Sequence, residues 1–560
     1  VYDLTINHRD HNFIANNFVV SNCGVRLAVT DLYYEEIKEK IPKLTEEIFK
    51  QVPSGVGRGG FWKLNNDEMK KVLENGAEYI VELGYGEKED LEATESFGKL
   101  EGADADTVSK TAKDRGRDQL GTIGAGNHFV EIQRIQEIYD EEIATKLNLQ
   151  KNKICILIHC GSRGLGHQVA SDYVRKAISY LFKQNIQLID KELAYFPFEH
   201  PEGQDYFSAM KASANFAFAN RQLILHQVRK AFKKVFGKEI KLKQIYDVAH
   251  NIAKIEEYTD LFGLDMDGAD RKLKLVYESL THKIIGAALE VRKVLGVGQK
   301  EIIYQNALEE EFKKLNLNFE REKEIEIKYK GKVVGYYKPD FIVEGKVLIE
   351  IKSIDKINKE VLKQIWYYLK NTDFVLALIL NFSPKGLEIK RVLNKKNTWE
   401  PHIENFSDIF LSEQSVSGPK KSVKLIVHRK GATRAFWKGH PELPPKYQEI
   451  GQPTLIPGSM GTASYILIGQ ELAKEISFGS APHGAGRVMS RAEAKRKIKG
   501  SELKKELEAR GISIAAGSMS GLAEEAPDAY KNVNEVVEVV HQIGIAKKVA
   551  KLVPVGVIKG

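Results

Sequence analysis

A change of texture in the middle of the chain constrains its fold more than any other feature. From about Thr259 to Lys421 the sequence is rich in lysine and glutamate and poor in glycine, whereas the stretches on either side mix helices with glycine-dense loops. The block reads as a helix (THKIIGAALEVRKVLG), a second helix (EIIYQNALEEEFKKLN), alternating strands over residues 323–353, a third helix (KEVLKQIWYYLKN) and a buried strand (DFVLALILNF). An α-β-β-β-α-β order of that length buries a core of its own, so it is expected to be an inserted α/β domain. The residues on its two sides, YDVAHNIAKIEEY and SVKLIVHRKG, read as two strands of one hairpin, and a hairpin tip tolerates insertion well. The expected organisation is therefore a short leader (1–22), a first core segment (23–258), the insert (259–421) and a second core segment (422–560), with an α+β core built on a mixed sheet.

Composition excludes several classes. Three cysteines (Cys23, Cys155, Cys160) in 560 residues rule out a disulfide scaffold and fit a reducing, cytoplasmic setting. The longest apolar run, Phe374 to Leu380, is far short of the ~20 residues that span a bilayer, so no membrane partner is expected. A net charge of +8, from 84 basic and 76 acidic side chains, permits an anionic partner without demanding one. No secretory signal is visible in VYDLTINHRDHN, and the opening valine is expected to mark a piece cut from something longer.

The histidines carry the chemistry. His159 ends the apolar run ICILIHC before GSRGLG, His128 sits in GAGNHFVEI, His250 in DVAHN and His483 in APHGAGR. At any one position a satisfied structural histidine is the commoner reading. Four at strand-to-glycine junctions point to a shared site, because glycine lets backbone N–H groups approach an anion. Imidazoles with the Cys23 thiol make a transition-metal donor set, and ligand softness favours zinc. A histidine among glycines is equally a candidate nucleophile toward phosphorus.

Seven collinear strings extend this pattern. They are Cys23 to Leu27, Gly126 to Phe129, His159 to His167, Asp247 to Asn251, His428 to Arg434, Pro457 to Tyr465 and His483 to Arg487, and the chain ends Val557-Ile558-Lys559-Gly560. Together they resemble the RtcB family of RNA ligases over nearly all of 23–258 and 422–560. The resemblance implies GTP- and manganese-dependent joining of 2′,3′-cyclic phosphate or 3′-phosphate RNA ends to 5′-hydroxyl ends, in tRNA splicing and RNA repair. It implies His483 as the guanylylated nucleophile. Cys23, His128, His159 and His250 match ligands of two Mn²⁺ ions, with Cys23 bridging. Asn127, His128, Pro457, Gly458, Ser459, Met460, Ser464, His483, Gly484, Ala485, Gly486 and Lys559 match GTP-binding positions. RNA, and an activating protein, are the implied partners. Arg163 and Arg487 suit RNA phosphates or the triphosphate, and a structural role suits each as well. Where softness favours zinc, the family favours manganese, and manganese is the expectation.

The leader does not resemble the ligase. VYDLTINHRDHNFIANNFVVSN before Cys23 resembles the C-terminal end of an intein. Asn22 would cyclise to cut its own peptide bond, Cys23 would supply the accepting thiol, and His11 would assist proton transfer. Ser21 stands where inteins carry histidine, which slows cyclisation. The aspartate that the ligase family places three residues before its cysteine is replaced by Val20, so the expectation is poor binding of the second metal and no splicing by this chain alone.

The insert holds Asp340 (GYYKPD), Glu350 and Lys352 (EIK), and Gln364 and Tyr368 (QIWYY). Two carboxylates on adjacent strands can hold Mg²⁺, and the lysine can position a water for phosphodiester attack. With Gly298, Glu301 and Tyr304 the block resembles GxxExxY proteins, which are similar to PD-(D/E)XK nucleases. Three functions stay open on sequence: the RNA ligase, an inactive GTP- or RNA-binding remnant, and a metal-dependent nuclease in the insert.

Overall fold

The computed structural model describes residues 22–55, 59–186, 194–259, 277–296, 298–329, 332–355, 357–370, 372, 374–383, 386–393, 402–404 and 422–560. The intein-like leader lies outside these residues, apart from Asn22. The chain divides into two units, Val1–Tyr258 with Ser422–Gly560, and Thr259–Lys421.

The first unit is built on a ten-stranded sheet. Its strands are β1 (Cys23–Tyr33), β2 (Phe129–Ile138), β3 (Lys153–Gly161), β4 (Leu242–Thr259), β5 (Ser422–Arg434), β6 (Pro453–Ile456), β7 (Ser464–Gly469), β8 (Ser480–Pro482), β9 (Ser513–Ala516) and β10 (Ala546–Lys559). They lie in the order β6-β7-β10-β2-β3-β1-β4-β5-β8, with β9 pairing β10 in parallel and the central pairs antiparallel. β4 and β5, the strands on either side of the insert, are neighbours in the sheet.

Alternation along the strands explains the layering. β3 is buried at every position because both faces are covered. Ile154, Ile156, Ile158 and Cys160 join one core with Ile224, Leu225 and Val228 of the long helix Pro201–Phe236 (α1). Cys155 and Leu157 join the other core, with Val25 and Leu27 of β1 and Tyr246 and Val248 of β4. Each fully buried aliphatic side chain contributes roughly 1.5–3 kcal/mol. Cys23, His159 and His250 continue the second set by parity, so the polar cluster is the open end of an apolar core face. α1 is buried almost all round from Ala212 to Leu225.

The second unit carries a six-stranded sheet in the order His402–Glu404, Gly386–Leu393, Leu376–Ser383, Val347–Lys352, Phe341–Val343, Phe319–Arg321. Leu376–Ser383 is central and buried throughout, and it runs parallel to Val347–Lys352. Apolar cores form on both faces. The α-β-β-β-α-β expectation is too simple. Two helices (Glu278–Leu295, Glu301–Lys314) precede five strands, because Phe319–Arg321 adds a strand ahead of the 323–353 run, and that run is broken into a separate hairpin, Ile325–Tyr329 with Lys332–Tyr337, and two sheet strands. Pro339 lacks a backbone donor, and Glu344 and Gly345 turn the chain at positive φ. Among the described residues no helix is long and apolar enough to cross a membrane.

Candidate functional site

Strand register assembles the site at one end of the first unit's sheet. Cys23 opens β1 and pairs with Gly161 of β3 on one side and His250 of β4 on the other. His159 of β3 pairs with Phe129 of β2, next to His128, and Phe129 pairs with Lys559 of β10. His483 follows β8, whose Pro482 pairs with Ala432 of β5, and its backbone N–H donates to the Gly431 carbonyl at 3.2 Å. Segments hundreds of residues apart thus end within a few ångströms of one another.

The donor atoms of Cys23, His159 and His250 all lie within 4.8 Å of one another, and all three residues are buried. His128 Nε2 is 3.2 Å from Cys23 Sγ, and the Nε2 atoms of His159 and His250 are 3.2 Å apart. Nδ1 of His128 and of His250 has no hydrogen-bond partner. Burial, with Arg163 and Lys559 alongside, pushes His128 down to about 3, and burial with the neighbouring histidines holds His159 and His250 well below the ordinary range. Neutral imidazoles facing a thiol, with ring nitrogens turned inward, fit a divalent transition metal. The His483 ring lies 4.6 Å from that of His250, centroid to centroid. Burial lowers its proton affinity as well, and its Nδ1 is without a partner.

Beside the cluster is a cavity of about 290 Å³ lined by Asn127, His159, Pro457 to Met460, His483 to Gly486 and Lys559. Its size is at the lower edge of small-molecule sites, roughly 300–1,000 Å³. Gly458 permits the loop after β6, since a Cβ there would meet the Ala463 carbonyl at 2.2 Å. Lys559 donates to the carbonyls of His128, at 3.0 Å, and Gly126, and burial brings its ammonium down to about 8.

Two expected positions stand apart from the cavity wall. Ser464 is buried behind the loop, where its hydroxyl oxygen accepts from the Gly458 N–H at 3.3 Å and from Gln133 Nε2 at 3.0 Å. His128 faces the thiol. Of the two arginines suited by sequence to phosphates, Arg487 lines the cavity and Arg163 is not among its lining residues, and both hold internal partners. Arg163 donates to Thr122 Oγ1, the Gln119 side chain and the Gly55 carbonyl; Arg487 donates to Glu525, Tyr530 and the Glu524 and Met489 carbonyls. Sequence reasoning missed Arg491, Glu525 and Tyr530, which line the cavity without a local motif to mark them. It also missed Glu131, a buried carboxyl pushed up to about 8 by desolvation and held by Gln133 Nε2 at 2.6 Å.

In the second unit the expected residues converge. Lys352 Nζ donates to Glu350 Oε1 at 2.8 Å, and the Tyr337 hydroxyl donates to Glu350 Oε2 at 2.8 Å. Asp340 accepts from Gln305 Nε2 at 2.7 Å and from the Ile351 N–H at 2.5 Å, and burial beside Glu350 pushes it up to about 7. Glu301 accepts from the Ser353 N–H. Gln364 donates to the Tyr368 hydroxyl, and Tyr368 stacks on Tyr337.

A family model described as tRNA-splicing ligase RtcB matches residues 2–267 and 388–560. The chain belongs to the RtcB family. The tRNA-splicing ligase RtcB of Nanoarchaeum equitans is 38% identical over 545 residues, covering 96% of this chain and 80% of that protein. Those of Pyrococcus furiosus and Pyrococcus horikoshii are each 38% identical over 563 residues, the whole of this chain but only 42% and 46% of theirs. The chain therefore spans less than half the length of these two relatives. The RtcB match begins at residue 2, inside the segment that resembles an intein. A second model, the PD-(D/E)XK nuclease superfamily, matches residues 278–392.

Proposed function

We propose that the RtcB unit joins RNA ends carrying a 3′-phosphate or 2′,3′-cyclic phosphate to 5′-hydroxyl ends, with GTP as co-substrate. The observation that carries this reading is the place of His483, in the wall of the cavity and 4.6 Å from the ring of His250 in the thiol–imidazole cluster. A neutral His483 offers a ring nitrogen lone pair to the α-phosphorus of GTP, forming an N–P bond as pyrophosphate leaves. The nucleotide then passes to the RNA 3′-phosphate, and the 5′-hydroxyl displaces GMP as the phosphodiester forms. Asn127, the Pro457–Met460 loop, Gly484 to Gly486 and Lys559 would hold the nucleotide, with Ser464 fixing the loop from behind. Cys23, His128, His159 and His250 would hold manganese, which would supply positive charge against the phosphate oxygens. RNA is the partner on this reading, from tRNA halves to broken ends. The test is ligation of a 3′-phosphorylated to a 5′-hydroxyl oligonucleotide with GTP and Mn²⁺. A joined product lost in His483→Ala supports the proposal; no product, or equal product from the variant, contradicts it.

For the inserted unit we propose a metal-dependent nuclease-like site at Asp340, Glu350 and Lys352, supported by their convergence and the superfamily match. Mg²⁺-dependent cleavage of DNA or RNA that survives Glu350→Ala would sink it.

A splicing role for Asn22 and Cys23 is a third proposal, resting on the resemblance of residues 1–22 to an intein end. Its test is release of an upstream segment from a longer precursor, blocked by Asn22→Ala.

A further inference from the structure

The long helix α1 holds three consecutive polar residues, Asn220, Arg221 and Gln222, each fully buried in the middle of an otherwise apolar stretch. Such a run is costly unless every group is paired. Asn220 accepts from the Gly121 and Thr122 N–H groups and donates to the Gly161 carbonyl at 3.1 Å. Gln222 is bound to Arg26 and donates to Asp90.

Arg221 reaches all three strands that carry the metal donors. It makes a forked contact with Asp247 of β4, with Nε 2.9 Å from Oδ2 and Nη2 2.7 Å from Oδ1. Its Nη1 donates to the Cys160 carbonyl of β3 at 3.0 Å. On β1 the guanidinium lies against Gly24, where a Cβ would stand 2.5 Å from Cζ. These three anchor points adjoin the donors: Gly24 follows Cys23, Cys160 follows His159, and Asp247 precedes His250 by three residues on its strand. A planar fork can bridge two acceptors on different strands while packing flat against a third; an ammonium cannot.

We propose that Arg221 is a positioning residue for the metal site, fixing the start of β1, the end of β3 and the middle of β4 so that Cys23, His159 and His250 keep their donor atoms within reach of one ion. The inference rests on reading that cluster as a metal site. A control lies on the same helix: Arg229, less deeply buried, forks onto Asp90 through Nη1 and Nη2, at 2.6 and 2.7 Å, and also donates to the Leu242 carbonyl at the start of β4.

The experiment measures Mn²⁺ affinity by titration calorimetry, and melting temperature, for the full chain and for Arg221→Lys and Arg229→Lys. Arg221→Lys should weaken Mn²⁺ binding about 10- to 100-fold, the usual cost of losing an outer-shell partner. Arg229→Lys should lower the melting temperature and leave Mn²⁺ affinity within about twofold of the parent. Unchanged affinity in Arg221→Lys, or an equal loss in Arg229→Lys, overturns the inference. A parent chain that takes up no Mn²⁺ overturns the metal reading itself and this inference with it. If Arg221→Lys does not fold, Asp247→Asn removes the charge that holds the fork, and with it the partner of Arg26, whose Nε lies 2.6 Å from the same carboxylate, so Arg26→Lys is its control. Weakened Mn²⁺ binding in Asp247→Asn alone supports the role, and unchanged binding there or equal weakening in Arg26→Lys overturns it.

Discussion

The rings of His250 and His483 lie 4.6 Å apart, centroid to centroid, with their planes inclined by 48°. His250 belongs to the thiol–imidazole cluster and His483 to the cavity wall, so this contact joins the two halves of the site, as does His159, which belongs to both. The halves should nevertheless separate by mutation. Co²⁺ added to the protein should give a thiolate charge-transfer band that Cys23→Ser abolishes and His483→Ala retains, because only the cysteine supplies sulfur. Retention of the band in Cys23→Ser would place the metal elsewhere.

The loop after β6 offers a test of the cavity. Gly458→Ala puts a methyl 2.2 Å from the Ala463 carbonyl and 2.3 Å from Thr462 Oγ1, so the loop must move. GTP binding by calorimetry should weaken about tenfold, equivalent to about 1.4 kcal/mol. Affinity equal to the parent's would remove this loop from the nucleotide site.

Glu131 gives a pH dependence with a definite sign. Desolvation raises its folded value from 4.5 to about 8. Such a group stabilises the fold fully below its unfolded value, and that contribution is lost as pH rises through the folded value. Glu131→Gln keeps the neutral shape at every pH. Its melting temperature should match the parent near pH 4.5 and exceed it near pH 8; the reverse order would show that the carboxylate is charged in the fold.

Asn22 is held by the ligase core. Its Nδ2 donates to the Met210 carbonyl at 3.0 Å, and its own carbonyl accepts from the Ser162 N–H at 2.9 Å. Cyclisation needs Nδ2 to leave the Met210 carbonyl and attack the Asn22 carbonyl carbon, so with Nδ2 held the folded chain should stay intact at the Asn22–Cys23 bond. Intact-mass spectrometry after prolonged incubation checks this, and a species beginning at Cys23 contradicts it.

Cys23 and His159 were legible as candidates because they sit where an apolar strand meets glycine; His250 lies mid-strand in β4, and strand parity places all three on one face. The insert was legible from its composition and from a hairpin whose two strands are neighbours in the sheet. Arg221 was not, because its role comes from a helix buried on all sides, where the 3.6-residue pattern that marks a face disappears. Arg491, Glu525 and Tyr530 meet only through tertiary packing. For Arg163 and Arg487 the sequence left a phosphate role and a structural one side by side; both hold internal carbonyl, carboxylate or hydroxyl oxygens, and Arg487 lines the cavity as well.

The central claim is that His483 carries the nucleotide. The most direct measurement is incubation of the full chain with α-labelled GTP and Mn²⁺, followed by denaturation and peptide mapping of the acid-labile adduct. The account predicts one GMP on the peptide that contains His483, and none in His483→Ala. Labelling that persists in His483→Ala, or maps to another residue, would contradict it.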